Sequence, residues 1–249
     1  MYLNTKGLVV RVTAYNDTDA LLSVLTPNHG KLTVKARGLR RKNSPLIAPC
    51  QLLAYADFTL FEYRSLYTIN EAHSIELFSS LRKDLQKLAL GSYFAQAAET
   101  MSQEDLPNPE LLSLVLNCLY GLAKLDMPET MIKAVFELRS ACLAGYAPDL
   151  YGCYSCGCDT PDRFDISEGR LECLACRNPG STGIRMPVTP GMLDAMRYIC
   201  NCDSQRLFSF RASNDTLESL SYVTESYLST QLERGFSTLD FYKTLLIPM

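Results

Sequence analysis

Histidine, the side chain that most often serves as a proton shuttle at neutral pH, is nearly missing from this chain: His29 and His73 are the only two in 249 residues. His29 stands in a turn sequence and His73 follows a strand-like run, and neither has a patterned acidic or cysteine neighbour. The sequence also lacks H-E-x-x-H, G-x-S-x-G and G-x-x-x-x-G-K-[ST], so the usual metalloprotease, hydrolase and phosphate-loop constellations are excluded. Carboxylates are spread over helix-like segments at the spacing of a solvated face. A binding protein without catalysis is therefore expected.

Long apolar runs are absent as well. The most apolar helix-like stretch, residues 111–125, is too short to span a bilayer and contains Asn117. The opening MYLNTKGLVVRVTAYN carries Lys6 and Arg11 inside its apolar stretch, which argues against a signal peptide. A cytoplasmic protein without a membrane partner is expected, with its thiols reduced. Nor is there an excess of positive charge: 24 Lys and Arg against 27 Asp and Glu give a net charge of −3. Any affinity for a polyanion must come from a local patch. There is no internal repeat and no low-complexity tract.

What is present is enough apolar material, 47% of residues, for real cores. Residues 1–78 read as strands. Leu8, Val10 and Val12 alternate with Val9, Arg11 and Thr13. The runs 20–26 and 31–37 flank Pro27-Asn28-His29-Gly30 as a hairpin, and two further strands fit 51–61 and 65–72, joined near 62–64. Five strands in this span suggest a small barrel, with an OB-fold the natural candidate. Helical spacing takes over from residue 79. It holds over 81–96, 109–125, 128–143, 190–200, 214–234 and 238–246, with first turns set by Asn108-Pro109 and Pro128 and a C-terminal cap at Gly145. The Cys-, Gly- and Pro-rich segment 151–187 interrupts this helical domain of 79–249. The expected class is α+β.

Ten cysteines in a reducing compartment point to metal binding or packing. Cys153-Tyr154-Ser155-Cys156 and Cys173-Leu174-Ala175-Cys176 are two C-x2-C knuckles with sixteen residues between them, the pattern of a zinc ribbon holding one structural Zn2+. Gly152 and Gly157 flank the first knuckle, and Gly180 and Gly183 follow the second. Four thiolates leave no open position for catalytic water, and paired motifs argue against a redox C-x2-C. Cys158 reads as a bystander, Cys118 and Cys142 as small core residues, and Cys50 as the opening of a strand. A second metal site at Cys200 and Cys202 has no evident partners.

Lys31, Lys35, Arg37, Arg40, Arg41 and Lys42 follow one another without an intervening acid. In a strand, Lys31, Thr33, Lys35 and Arg37 share one face while Leu32, Val34 and Ala36 take the other. Arg40, Arg41 and Lys42 extend that cationic stripe into a loop. Arg11 on the neighbouring strand, with Tyr15 or Tyr67, would add to a nucleic-acid surface.

These residues together resemble the bacterial recombination mediator family RecO over essentially the whole chain. GLVVRVTAYNDTDALLSVLTPNHGKLTVKARGLRRKNSPL is similar to that family's OB-fold, with its GKL turn and basic ARGLRRKNS segment. ELRSACLAGYAPDLYGCYSCG, LECLAC and RGFSTLDFYKTLL are similar to its helical part and zinc knuckles. The resemblance implies DNA repair and recombination after DNA damage. It also implies binding of single- and double-stranded DNA, strand annealing, partnership with RecR and with the acidic C-terminal tail of single-stranded-DNA-binding protein, and assistance in loading RecA. It implies a protein found with the nucleoid during repair. The six basic residues of 31–42 would carry the DNA contacts, and Lys133 and Arg139 would pair with the tail's carboxylates. Because some members lack the four cysteines, zinc would serve stability. The competing reading is a zinc-ribbon nucleic-acid-processing enzyme or RNA-binding subunit, and a third is a structural adaptor.

Overall fold

The computed structural model describes residues 1–64, 66–177 and 183–247. Ser65, where a strand was expected to begin, and Gly180 lie outside the described residues. The fold is mixed α+β. Its first five strands, β1 (Tyr2–Ala14), β2 (Ala20–Leu25), β3 (Lys31–Ala36), β4 (Tyr55–Tyr63) and β5 (Leu66–Glu76), form a sheet that closes on itself in the order β1-β2-β3-β5-β4. All pairings are antiparallel except β3 with β5. The interior is filled from alternate positions: Leu22 and Val24, Leu32, Val34 and Ala36, and Ala56, Phe58 and Leu60.

Three sequence expectations are corrected here. Strict alternation fails in β1, where Leu8, Val9 and Val10 are all buried. The register slips between Val9 and Arg11, a bulge that re-aims the strand, and a helix packs on its other side. Residues 51–54 form turns, so β4 starts later than expected and Cys50 opens no strand. Cys50 is instead fully buried in the barrel core, and burial pushes its thiol up to about 12.

Helices α1 (Leu85–Met101), α2 (Pro109–Lys124), α3 (Glu129–Leu143), α4 (Pro190–Asn201), α5 (Asn214–Gln231) and α6 (Ser237–Leu245) follow the expected segments. Asn108 accepts from the Leu111 amide and Thr189 from the Met192 amide, which satisfies two helix starts that carry Pro at the first turn. Residues 79–83 form a 3-10 turn before Asp84 caps α1.

The compact units do not divide where the strands end. Residues 1–125 and 236–249 form one unit and 126–235 the other. In the first, α1 packs on β1, α2 and α6, with Tyr93 edge-on to Phe236 at 5.4 Å. In the second, α3 packs on α5 and α4. The same unit carries a sheet of β6 (Asp149–Cys153), β8 (Arg170–Glu172), β7 (Arg163–Asp165) and β9 (Arg185–Pro187), in that order. Among the described residues no helix is long and apolar enough to cross a membrane.

Candidate nucleic-acid surface and metal centre

On the barrel, inward placement of Leu32, Val34 and Ala36 leaves Lys31, Thr33, Lys35 and Arg37 on the outer face of β3. The same logic acts in β4, where buried Phe58 and Leu60 put Phe61 and Tyr63 outside. These outer side chains meet. A groove of 390 Å³ is lined by Lys35 and Arg37 together with Tyr15, Phe61, Tyr63 and Tyr67. The Lys35 ammonium sits 4.7 Å from the Tyr15 ring centre, and the Arg64 guanidinium lies over Tyr63 at 5.3 Å, both within cation–π range. Cations and exposed aromatic faces along one groove suit a strand of phosphates with unstacked bases. Sequence reasoning named Tyr15 and Tyr67 and missed Phe61 and Tyr63. The signal was present in the switch of apolar residues from even to odd positions after Leu60.

The six basic residues divide into two groups. Arg37, Arg40, Arg41 and Lys42 are exposed, and Lys31 and Lys35 are half-buried. Lys31 donates to the Glu99 carbonyl at 3.3 Å, Arg40 to the Asn16 carbonyl at 2.6 Å, and Lys35 pairs with Asp19 at 3.1 Å. Arg11 lies 3.6 Å from the Glu99 carboxylate. Within the run Lys35 thus gains an acid from another segment, while Lys31 and Arg40 are tied to backbone carbonyls.

Asp19, which the sequence did not single out, ties this region together. It accepts from the Gly38 amide at 2.8 Å and from Asn16 and Thr18, besides pairing with Lys35. The Gly38 amide, then Lys35, hold its carboxyl well below the usual carboxylate range. A depressed acid stabilises the fold above its unfolded pKa of 3.8 and loses that contribution only as pH falls through the lower folded value. Lowering pH from 7 to about 4 should accordingly leave the Gly38 amide resonance in place, with the shift arriving below. A midpoint near 4 would show the carboxylate to be free of these partners.

In the second unit the knuckles meet as their spacing requires. The Sγ atoms of Cys153, Cys156, Cys173 and Cys176 all lie within 4.8 Å of one another and could hold one metal ion. Cys153 ends β6, which pairs with β8, and Cys173 follows β8 directly. Gly157, at φ 72°, makes the tight turn behind the first knuckle, its amide donating to the Cys153 carbonyl at 2.7 Å. Burial opposes ionisation of Cys153, but the amides of Cys156, Ser155 and Cys173 outweigh it and bring the thiol down to about 6. Cys158 is outside the four-sulfur set. Arg185 on β9 binds Glu172 at 2.7 Å and Asp165 at 3.3 Å, a largely buried ionic tie between strands that sequence reasoning missed.

Lys133 and Arg139 are not surface cations. Lys133 is buried, with its ammonium 2.9 Å from Glu137, 2.8 Å from Glu225 and 3.3 Å from the Ser221 hydroxyl. Arg139 donates to the carbonyls of Ile199 and Cys200 at 3.2 and 2.6 Å, closing the C-terminal end of α4 where a cation is favoured. Both side chains serve the packing of the helices, and Lys133 is already paired with two carboxylates. Cys142, expected as a small core residue, is only half-buried, and its sulfur lies 3.6 Å from that of Cys200.

Comparison with known proteins places these features. The family model for the N-terminal part of recombination protein O matches residues 1–78, and that for its C-terminal part matches residues 82–240. The DNA repair protein RecO of Acetivibrio thermocellus is 33% identical over 246 residues, spanning 98% of this chain and 97% of that protein. The DNA repair protein RecO of Alkaliphilus metalliredigens is 32% identical over 248 residues, spanning 98% of this chain and all of its own. That of Symbiobacterium thermophilum is 29% identical, with 97% of each chain covered.

Proposed function

The chain belongs to the RecO family of DNA repair proteins, and from that premise we propose that its barrel is an OB-fold that binds single- and double-stranded DNA and anneals complementary strands without catalysis. The observation that carries this reading is the groove lined jointly by Lys35, Arg37, Tyr15, Phe61, Tyr63 and Tyr67. The strand order β1-β2-β3-β5-β4 supports the OB-fold assignment. The cations neutralise phosphates of single or double strands, while the rings accept bases of any identity once those bases are unstacked. Annealing then needs only two strands brought together with their charge screened. Help in loading RecA, with RecR and the tail of single-stranded-DNA-binding protein as partners, completes the proposed role. With Lys133 and Arg139 inside the helical unit, the tail's seat is to be sought on other residues.

We assign the four cysteines to one structural zinc ion. A tetrahedron with Zn–S bonds of about 2.3 Å has edges of about 3.8 Å, and the Cys156 and Cys173 sulfurs are 3.7 Å apart. An all-thiolate set favours a soft ion and supplies no site for water. When bound, zinc contributes folding energy to the ribbon.

The test is an Arg37→Ala/Arg41→Ala/Lys42→Ala variant titrated with an oligothymidylate at several salt concentrations. Arg40 is left in place because it braces the Asn16 loop. Losing three phosphate contacts should lower affinity about a hundredfold at 0.1 M salt and flatten the log–log salt slope by about 2. Unchanged binding and annealing by a folded variant would overturn the proposed surface.

A further inference from the structure

The strand groove does not end in open solvent. Thr33, Leu66 and Tyr67 also line a second cavity, of 460 Å³, whose other walls are Lys31, Leu32, Glu62, Glu104 and Asp105. The trough therefore runs from a basic, aromatic half into an acidic one. Its acids come from two sources. Glu62 sits on β4 opposite Tyr67, while Glu104 and Asp105 belong to the segment after α1.

That segment is seated on the barrel by specific contacts. Glu104 bridges Gly30 and Lys31 in the manner of a short strand, the Lys31 amide donates to the Gln103 carbonyl at 3.1 Å, and the Thr33 hydroxyl meets the Glu104 carboxylate at 3.1 Å. Gly30 makes the seat possible. A Cβ there would stand 2.6–2.8 Å from backbone atoms of Leu106 and Gln103, and its φ is 63°. Asp105, at φ 57°, takes a left-handed conformation that Asp tolerates better than most residues.

We propose, building on the DNA-binding reading above, that Glu104 and Asp105 form an electrostatic stop that confines a DNA strand to the half of the trough lined by Lys35 and Arg37. A phosphodiester entering the second cavity would lie among three carboxylates with Lys31 as the one cation in its lining, so its charge is repelled where the first half attracts it. Lys31, the first residue of the basic run, is thereby removed from the DNA track although it lies on the same strand face as Lys35. The stop sets how many nucleotides one barrel occupies.

The experiment compares oligothymidylates of graded length on the full chain, a Glu104→Gln/Asp105→Asn variant, and an Asp57→Asn/Glu71→Gln control that removes the same charge from exposed barrel positions outside the trough. Neutralising the stop should free one phosphate contact at Lys31. Affinity should then rise about fivefold at 0.1 M salt, with a slope steeper by about 0.7 and a longer minimal strand at full affinity. Gly30→Ala, which unseats the segment without changing charge, should move affinity in the same direction. If the double variant matches the parent, or the control gains as much, the stop is overturned while the DNA-binding reading stands. A parent chain that binds no strand overturns both.

Discussion

Replacing Cys153 and Cys156 by serine should unfold the segment between β6 and β9 before it disturbs anything else in the protein. The sheet there is made of strands of three to five residues, and its apolar interior reduces to Leu150, Phe164, Ile166, Leu171, Met186 and a few neighbours. So small a core cannot offset the conformational entropy of ordering the loops between such strands. A structural zinc ion supplies on the order of 10–16 kcal/mol in peptides of this kind, enough to decide whether the ribbon exists. Elemental analysis should find one zinc per parent chain and none in the variant. Limited proteolysis should cut the variant within residues 150–187 first. A variant that keeps the parent's melting temperature and protease resistance, or a parent that purifies stable and metal-free, would remove zinc from the account.

Substituting Lys133 by alanine comes next in size. Its ammonium holds two carboxylates, Glu137 and Glu225, on α3 and α5, and Glu137 is fully buried. Removing one member of a buried ion pair leaves the other charge uncompensated and costs about 3–5 kcal/mol, a large fraction of a typical stability of about 5–15 kcal/mol. The pH dependence identifies the cause. Burial already raises the Glu137 carboxyl above its ordinary 4.5, with Lys133 opposing, and without the lysine it rises further. An acid raised on folding binds more protons folded than unfolded, so its penalty grows as pH rises from its unfolded to its folded value. The stability gap between variant and parent, read from denaturant melts, should be smaller at pH 5 than at pH 8. An equal gap at both would locate the damage in lost packing. Lys133→Met combined with Glu137→Gln and Glu225→Gln should recover most of the loss, since replacing all three ionic partners leaves no buried charge unpaired.

The paired C-x2-C motifs, the hairpin around Gly30 and the proline-marked helix starts were all legible because each is set by residues within a few positions. Chain order alone could therefore place the four clustered cysteines, the inner and outer faces of β3 and the extents of most helices. Partners distant in sequence were not legible. Lys133 reaches Ser221 across 88 positions, and Lys31 reaches Glu99 across 68. Both cations look free in a linear reading because side-chain pairing is a property of packed surfaces. The same holds for Val10, whose burial follows from a helix against the outside of β1, and for the aromatic groove, assembled from β1, β3, β4 and β5. The basic run and the four cysteines were determined by the sequence by itself. Tertiary packing decided which of those charges remain available, because it alone brings Asp19, Glu99 and Glu104 within reach of them.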